Sequence, residues 1–231
     1  PPAAGTSAIA MMSHALARLD DRQLPAEITG VARQMFETPA PEMSGFSRIA
    51  LSNLWLFAPL VKKQLEAGPA TNAMLRTTTA LTIVNAGNKE NVLPGRADAT
   101  VNFRVLPGDS LAAVTKHVET TSAVPGLQLK LLPNATEPSK VAPPDSASFK
   151  LIERTVRELF PGTLVAPGLV VGGTDSQHMG NISDHIYKFS PVRAKPEDLP
   201  RFHGTNERIT VSNLVELIRF YHRLLSQGAG A

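Results

Sequence analysis

The sequence predicts an α/β chain in two parts. The first is a split β-α-β-β-α-β sandwich lacking its first strand, and the second is a smaller α/β piece. Three observations predict this: apolar periodicity changes from 3.6 to two near Thr77, Ala97 to Val105 alternates cleanly, and four prolines crowd residues 133–145. Such a proline-rich stretch marks a boundary, so the chain divides into residues 1–140 and 141–231.

The opening Pro1-Pro2-Ala3-Ala4-Gly5-Thr6-Ser7 runs straight into an amphipathic pattern of Ile9, Met12, Leu16 and Leu19, and reads as a fragment cut at the first turn of a helix. Residues 25–75 hold helical stretches broken by Pro25, Pro39, Pro41, Pro59 and Pro69. Leu54, Trp55, Phe57, Leu60, Val61 and Leu65 form their apolar cluster, and the whole reads as a helical insertion. Thr78 to Val84 predicts a strand, Lys89 to Gly95 a turn, and Ala97 to Val105 a second strand. In that second strand Ala97, Ala99, Val101, Phe103 and Val105 share the inner face. Asp98, Thr100, Asn102 and Arg104 share the outer one, which presents Arg104 to solvent or ligand. Ser110 caps a helix striped by Leu111, Val114 and Val118, and Leu127, Leu129 and Leu131 predict a further strand. The second part reads as a helix (Phe149, Ile152, Val156, Leu159), strands at Leu164–Val171 and Ile186–Phe189, and a last helix (Leu214, Leu217, Ile218, Tyr221, Leu225). Two strands make an incomplete sheet, with an edge and an apolar face for another segment to cover.

Composition narrows the chemistry. Among 231 residues, 42% are hydrophobic, enough for a real core, and no apolar run approaches a membrane span, so no membrane partner is expected. With no cysteine, any zinc must use His and carboxylate ligands, and the compartment stays open. The 23 basic and 20 acidic residues are interspersed, and aromatics are only 5%, so no nucleic-acid platform is expected.

Two motifs carry the chemistry. Val170-Val171-Gly172-Gly173-Thr174-Asp175-Ser176 is an apolar run entering a glycine turn and a helix start. That arrangement suits an anion, though Gly-Gly before a helix is more often only a turn. His203 stands in Phe202-His203-Gly204-Thr205-Asn206-Glu207-Arg208-Ile209, and local features leave it open between a hydrogen-bonding surface residue and a metal ligand. His14, His117 and His222 read as surface residues within helices, whereas His178 and His185 flank the glycine turn.

These two motifs join Lys89-Glu90-Asn91-Val92-Leu93-Pro94 and Val101-Asn102-Phe103-Arg104-Val105-Leu106-Pro107-Gly108-Asp109-Ser110 in a common resemblance. Together they resemble the zinc aminoacylase and carboxypeptidase family of yeast carboxypeptidase S, carnosinase and bacterial glutamate carboxypeptidase, most nearly its carboxypeptidase S and N-acyl-amino-acid hydrolase branch. The resemblance implies a ferredoxin-like lid over residues 1–140, followed by the C-terminal piece of a zinc-peptidase catalytic domain. It implies a homodimer through the lid, two zinc ions in the complete enzyme, and a peptide or N-acyl-amino-acid substrate. It also implies roles: His203 as a metal ligand, Asn91 and Arg104 as lid contacts to the substrate's carbonyl and carboxylate, and Gly173 and Thr174 as backbone donors to substrate. A guanidinium fork suits a carboxylate.

Two departures stand out. Gln177 occupies a position that is commonly Arg in this branch, which removes a charge that would hold a substrate carboxylate. The family's His-x-Asp metal motif, its Glu-Glu pair of base and ligand, and its lid histidine have no counterpart here, so the chain is expected to lack turnover and stoichiometric zinc by itself. The competing reading is a non-catalytic dimerisation or binding module built on the lid.

Overall fold

A computed structural model describes Ala3 and residues 5–229. The expected helical first turn at Pro1-Pro2 lies outside those residues. The chain divides into two compact units, Pro1–Lys140 and Val141–Ala231.

In the first unit, α1 (Ala8–Asp21) begins where the Ser7 hydroxyl accepts a hydrogen bond from the Ala10 amide at 3.2 Å. It buries Ala15 and Leu19, and Ile9, expected in the same stripe, is 46% exposed. A helical insertion follows: α2 (Gly30–Glu37), a 3-10 turn at Ala40–Glu42, α3 (Gly45–Ser52), α4 (Leu54–Glu66) and the short α5 (Pro69–Asn72). Ala50, Leu54 and Val61 form its core, with Ile28, Leu51, Phe57 and Leu65 against them. Trp55 and Leu60 do not join that cluster as expected. They lie on the opposite side of α4 and are 79% and 51% exposed, because α3 meets α4 through Ala50 on its Leu54–Val61 side.

Strands β1 (Thr78–Ala86) and β2 (Ala97–Arg104) pair antiparallel, from Thr78 opposite Arg104 to Ala86 opposite Ala97. The register shifts between Leu81 and Ile83, and the Thr82 hydroxyl at that bulge donates to the Thr100 carbonyl at 3.1 Å. Gly87, at φ 64, lets the chain leave β1. The expected alternation in β2 holds for Ala97, Ala99, Val101 and Phe103 inward and Asp98, Asn102 and Arg104 outward, while Thr100 is half-buried. Helix α6 (Leu111–Ser122) is capped by Ser110 and packs on α1, where Arg18 donates to the Ser122 and Ala123 carbonyls at 3.1 and 3.2 Å.

Helix, strand, strand, helix thus follow in the expected order, but the strand expected at Leu127–Leu131 does not form. Leu129 and Leu131 are 41% and 56% exposed, and the sheet has two strands among the described residues. A strand exists by pairing its N–H and C=O groups, and alternating leucines supply a face without supplying a neighbour.

The second unit is helices and loops. Ser146 caps α7 (Ala147–Leu159) and Thr210 caps α8 (Val211–Gly228); the two helices pack together, burying Val156 and Phe220. The strands expected at Leu164–Val171 and Ile186–Phe189 do not form. Side chains hold the second of these segments instead. The Tyr187 hydroxyl donates to the Pro143 carbonyl at 2.6 Å and its ring lies 5.7 Å from Phe149, while Phe189 lies 5.3 Å from Phe220. Of the stripe expected inside α8, Leu217 is half-buried, whereas Leu214, Ile218, Tyr221 and Leu225 are 41–66% exposed, and the helix turns Asn213 and Phe220 inward. No helix among the described residues is long and apolar enough to cross a membrane.

Candidate functional site

Arg104 closes β2 on its exposed side, at a point the fold holds firmly. Its Cα partner is Thr78, and the preceding Thr77 is fully buried. The Thr77 hydroxyl accepts from the Leu106 amide at 2.9 Å and donates to the Asp109 carboxylate, tying the start of β1 to the turn after β2. A polar group this deeply buried stays only with its hydrogen bonds made. Asn91 lies exposed in the connection between the strands, beside the exposed Val92 and Leu93. Where that connection enters β2, Arg96 grips Asp98 at 2.6–2.9 Å; this hydrogen-bonded pairing holds the Asp98 carboxyl below its usual range and raises the Arg96 guanidinium.

In the second unit Gly173 and Thr174 are exposed and lead into a 3-10 turn at Asp175–Met179. The expected helix start is therefore five residues of 3-10 turn, with little aligned dipole to offer an anion. Thr174 makes no side-chain cap; its hydroxyl meets that of Ser176 at 2.5 Å. Neither Gly172 nor Gly173 has a positive φ, and a Cβ at either would meet nothing within 4 Å. The described fold therefore does not itself require glycine at these two positions.

The His203 segment is anchored at both ends by α8. The buried Asn213 side chain accepts from the Arg193 amide at 2.9 Å and donates to the Pro191 carbonyl at 2.9 Å, and its own amide donates to Thr210 Oγ1 at 3.1 Å. Between those anchors Asp198 accepts from the Lys195 amide at 3.0 Å and pairs with Arg201 inside the 3-10 turn Pro196–Arg201. Gly204 then comes so close that an added Cβ would stand 3.1 Å from the Pro200 carbonyl oxygen. His203 and Asn206 both hold left-handed backbone, at φ 59 and 63, and His203 is exposed. Such conformations are retained only where surroundings enforce them. Asp198 and Asn213, which build this turn, escaped the sequence reading; an Asn three residues after a capping Thr was the available signal.

Beside the loop Arg193 grips Glu216 at 2.7 and 2.9 Å. The Arg193 hydrogen bond, against some desolvation and with help from Asn213, holds the Glu216 carboxyl below its usual range. His14 and His222 are exposed as expected; His117 is half-buried instead, its Nε2 without a partner, because α6 turns it toward its packed side. A groove of about 690 Å³ between α7 and α8 is lined mainly by charged side chains, including Arg154, Arg157, Glu158 and Arg223, and contains none of the five residues singled out by sequence.

Among the described residues no three His, Asp or Glu side chains come together to hold a metal ion. His203 thus stands as one imidazole, and the residues present do not fit a zinc centre.

A family model described as a peptidase dimerisation domain matches residues 1–128. A probable carboxypeptidase S-like protein 2 of Dictyostelium discoideum is 38% identical over 219 residues, covering 95% of this chain and 42% of that protein. The N-fatty-acyl-amino acid synthase/hydrolase PM20D1 of Xenopus tropicalis is 41% identical over 221 residues, 95% of this chain and 43% of that protein.

The chain belongs to the M20 peptidase family. Within M20 its similarities are to carboxypeptidase S-like proteins and N-fatty-acyl-amino acid hydrolases; the human PM20D1 is 37% identical over 223 residues, 95% of this chain and 44% of that protein. The chain spans 42–44% of the length of these M20 relatives. M20 peptidases are generally metal dependent. No solved structure matches the chain.

Proposed function

We propose that this chain supplies the lid and the C-terminal part of the catalytic domain of a dinuclear zinc amidohydrolase. Its substrates are C-terminal peptide bonds or the amide bond of N-acyl amino acids. In this reading residues 1–140 are a ferredoxin-like lid that dimerises, and residues 141–231 belong to the catalytic domain. The carrying observation is that similarity to hydrolases runs over 95% of the chain in several relatives. Support also comes from the exposed position of Arg104 on a firmly anchored strand end and from the enforced left-handed backbone at His203.

The roles are those the family resemblance implies, and each suits the chemistry of its residue. Arg104 receives the substrate carboxylate through paired N–H donors. Asn91 donates to the carbonyl under attack, and the Gly173-Thr174 backbone donates to substrate where no side chain obstructs approach. His203 is a ligand of a metal whose remaining ligands the described residues do not provide, so the chain by itself does not turn over substrate.

The test is an amide-resolved NMR titration with a long-chain N-acyl amino acid and with its neutral primary amide. Shifts at Arg104 and at Gly173-Thr174 with the acid, and none with the amide, are expected. Equal responses to both ligands, or hydrolysis by the chain on adding zinc, would contradict the reading.

A further inference from the structure

The outer side of α3 and α4 is apolar where a surface helix is ordinarily polar. Phe46 and Ile49 on α3 are 58% and 54% exposed; Trp55, Leu56 and Leu60 on α4 are 79%, 56% and 51% exposed. On α4 these positions lie opposite Leu54 and Val61, which fill the small core, so the helix is apolar on both sides. Pro59, on the same outer side, also removes the amide that would have bonded the Trp55 carbonyl. Phe46 reaches back to Phe57 beside the insertion's core, their ring centroids 5.5 Å apart, whereas Ile49, Trp55, Leu56 and Leu60 are not part of that core.

Charge says what covers them. Within α3 and α4 the cations are Arg48, Lys62 and Lys63, none of them ion-paired among the described residues. The one acid of these two helices, Glu66, is taken by Arg76. Lys62 and Lys63 follow the apolar positions by less than one turn, where long stems lie along apolar surface and keep their ammonium groups in water. A second copy meeting this surface about a two-fold axis would set these cations against their own images, which is repulsive.

We propose that the outer side of α3 and α4 docks on an anionic lipid surface, its aromatic and leucine side chains entering the acyl boundary while Arg48, Lys62 and Lys63 meet the headgroups. Trp55 suits that boundary, its ring being apolar in body with one N–H at the edge. This departs from the sequence expectation of no membrane partner. That expectation rested on the lack of a spanning segment, whereas lying in an interface needs only one apolar helical side. It is independent of the hydrolase reading.

Trp55 is the single tryptophan of the chain, so its emission reports on this surface directly. The chain is titrated with vesicles of phosphatidylcholine and phosphatidylglycerol, and with phosphatidylcholine alone, while sedimentation measures the bound fraction. A blue shift and co-sedimentation with the anionic vesicles are expected, weaker with the neutral ones and falling as salt is raised. Leu60→Asp lowers partition at least about tenfold, the equivalent of one leucine kept in water. Lys62→Glu with Lys63→Glu lowers binding to anionic vesicles and spares binding to neutral ones; far-UV circular dichroism checks that each variant folds, and the charge-reversed pair decides if Leu60→Asp does not. The proposal is overturned by no shift and no sedimentation with anionic vesicles. It is overturned equally by a blue shift that grows with protein concentration in the absence of lipid, which assigns the surface to a second copy. The same shift with a soluble short-chain N-acyl amino acid below its micelle concentration would assign it to a substrate tail and also overturn it.

Discussion

Replacing Asn213 by alanine unfastens the chain before His203 from α8. Asn213 is 2% exposed, and its carboxamide holds the Arg193 amide and the Pro191 carbonyl at 2.9 Å each. Truncation leaves both main-chain groups without that partner. A donor or acceptor stranded away from water costs about 1–3 kcal/mol, so two at a half-buried segment cost about 2–4 kcal/mol. The α8 cap survives, because the Thr210 hydroxyl bonds the main-chain amide of residue 213 and not its side chain. Urea unfolding followed by circular dichroism is therefore expected to show a lower midpoint with an unchanged slope for the second unit. Hydrogen exchange at the Arg193 amide accelerates in parallel. An unchanged midpoint together with unchanged protection of Arg193 would refute the claim that Asn213 anchors this loop.

Thr77→Val removes the buried hydroxyl that serves Leu106 and Asp109, and is expected to destabilise the first unit by about 1–3 kcal/mol in thermal or urea unfolding, with Thr77→Ser recovering part of the loss. The Glu216 carboxyl is held below its ordinary value of 4.5 chiefly by the Arg193 hydrogen bond. A depressed folded value gives stability that is present above the unfolded pKa and lost as pH falls through the folded one, so Glu216→Gln flattens the fall in second-unit stability below pH 4.5 and makes little change in its slope near neutrality. Gln177→Arg restores a cation beside the glycine turn and is expected to raise affinity for N-acyl amino acids up to about tenfold at low salt by calorimetry, with no gain for neutral amides.

The helices and the β1–β2 hairpin were legible because their signals are local. Ser110 announces its helix start through a bond spanning three residues, as Ser7 and Ser146 also do without having been singled out in the sequence, and the alternation of β2 survives in its burial. The expected strands at 127–131, 164–171 and 186–189 do not form. Apolar alternation describes a face, whereas a strand needs a hydrogen-bonding neighbour that lies elsewhere in sequence. Helix α8 erred differently: it is apolar on two sides, and periodicity alone does not say which side meets α7. Of the site, the glycine motif and His203 could be named from sequence, but the anchors that set the His203 backbone, Asn213 and Asp198, act across up to twenty-two residues and carry no strong motif.

Carboxylate recognition by Arg104 is the centre of the account, and calorimetry on the chain tests it most directly. A long-chain N-acyl amino acid and its methyl ester are titrated into the unaltered protein, Arg104→Lys and Arg104→Ala. One bidentate charged pair carries about 1.5–3 kcal/mol, so the acid is expected to lose about ten- to a hundredfold in affinity with alanine, less with lysine, while the ester binds all three alike. Equal affinity of acid and ester for the unaltered chain, or an Arg104→Ala variant that binds the acid undiminished, would contradict it.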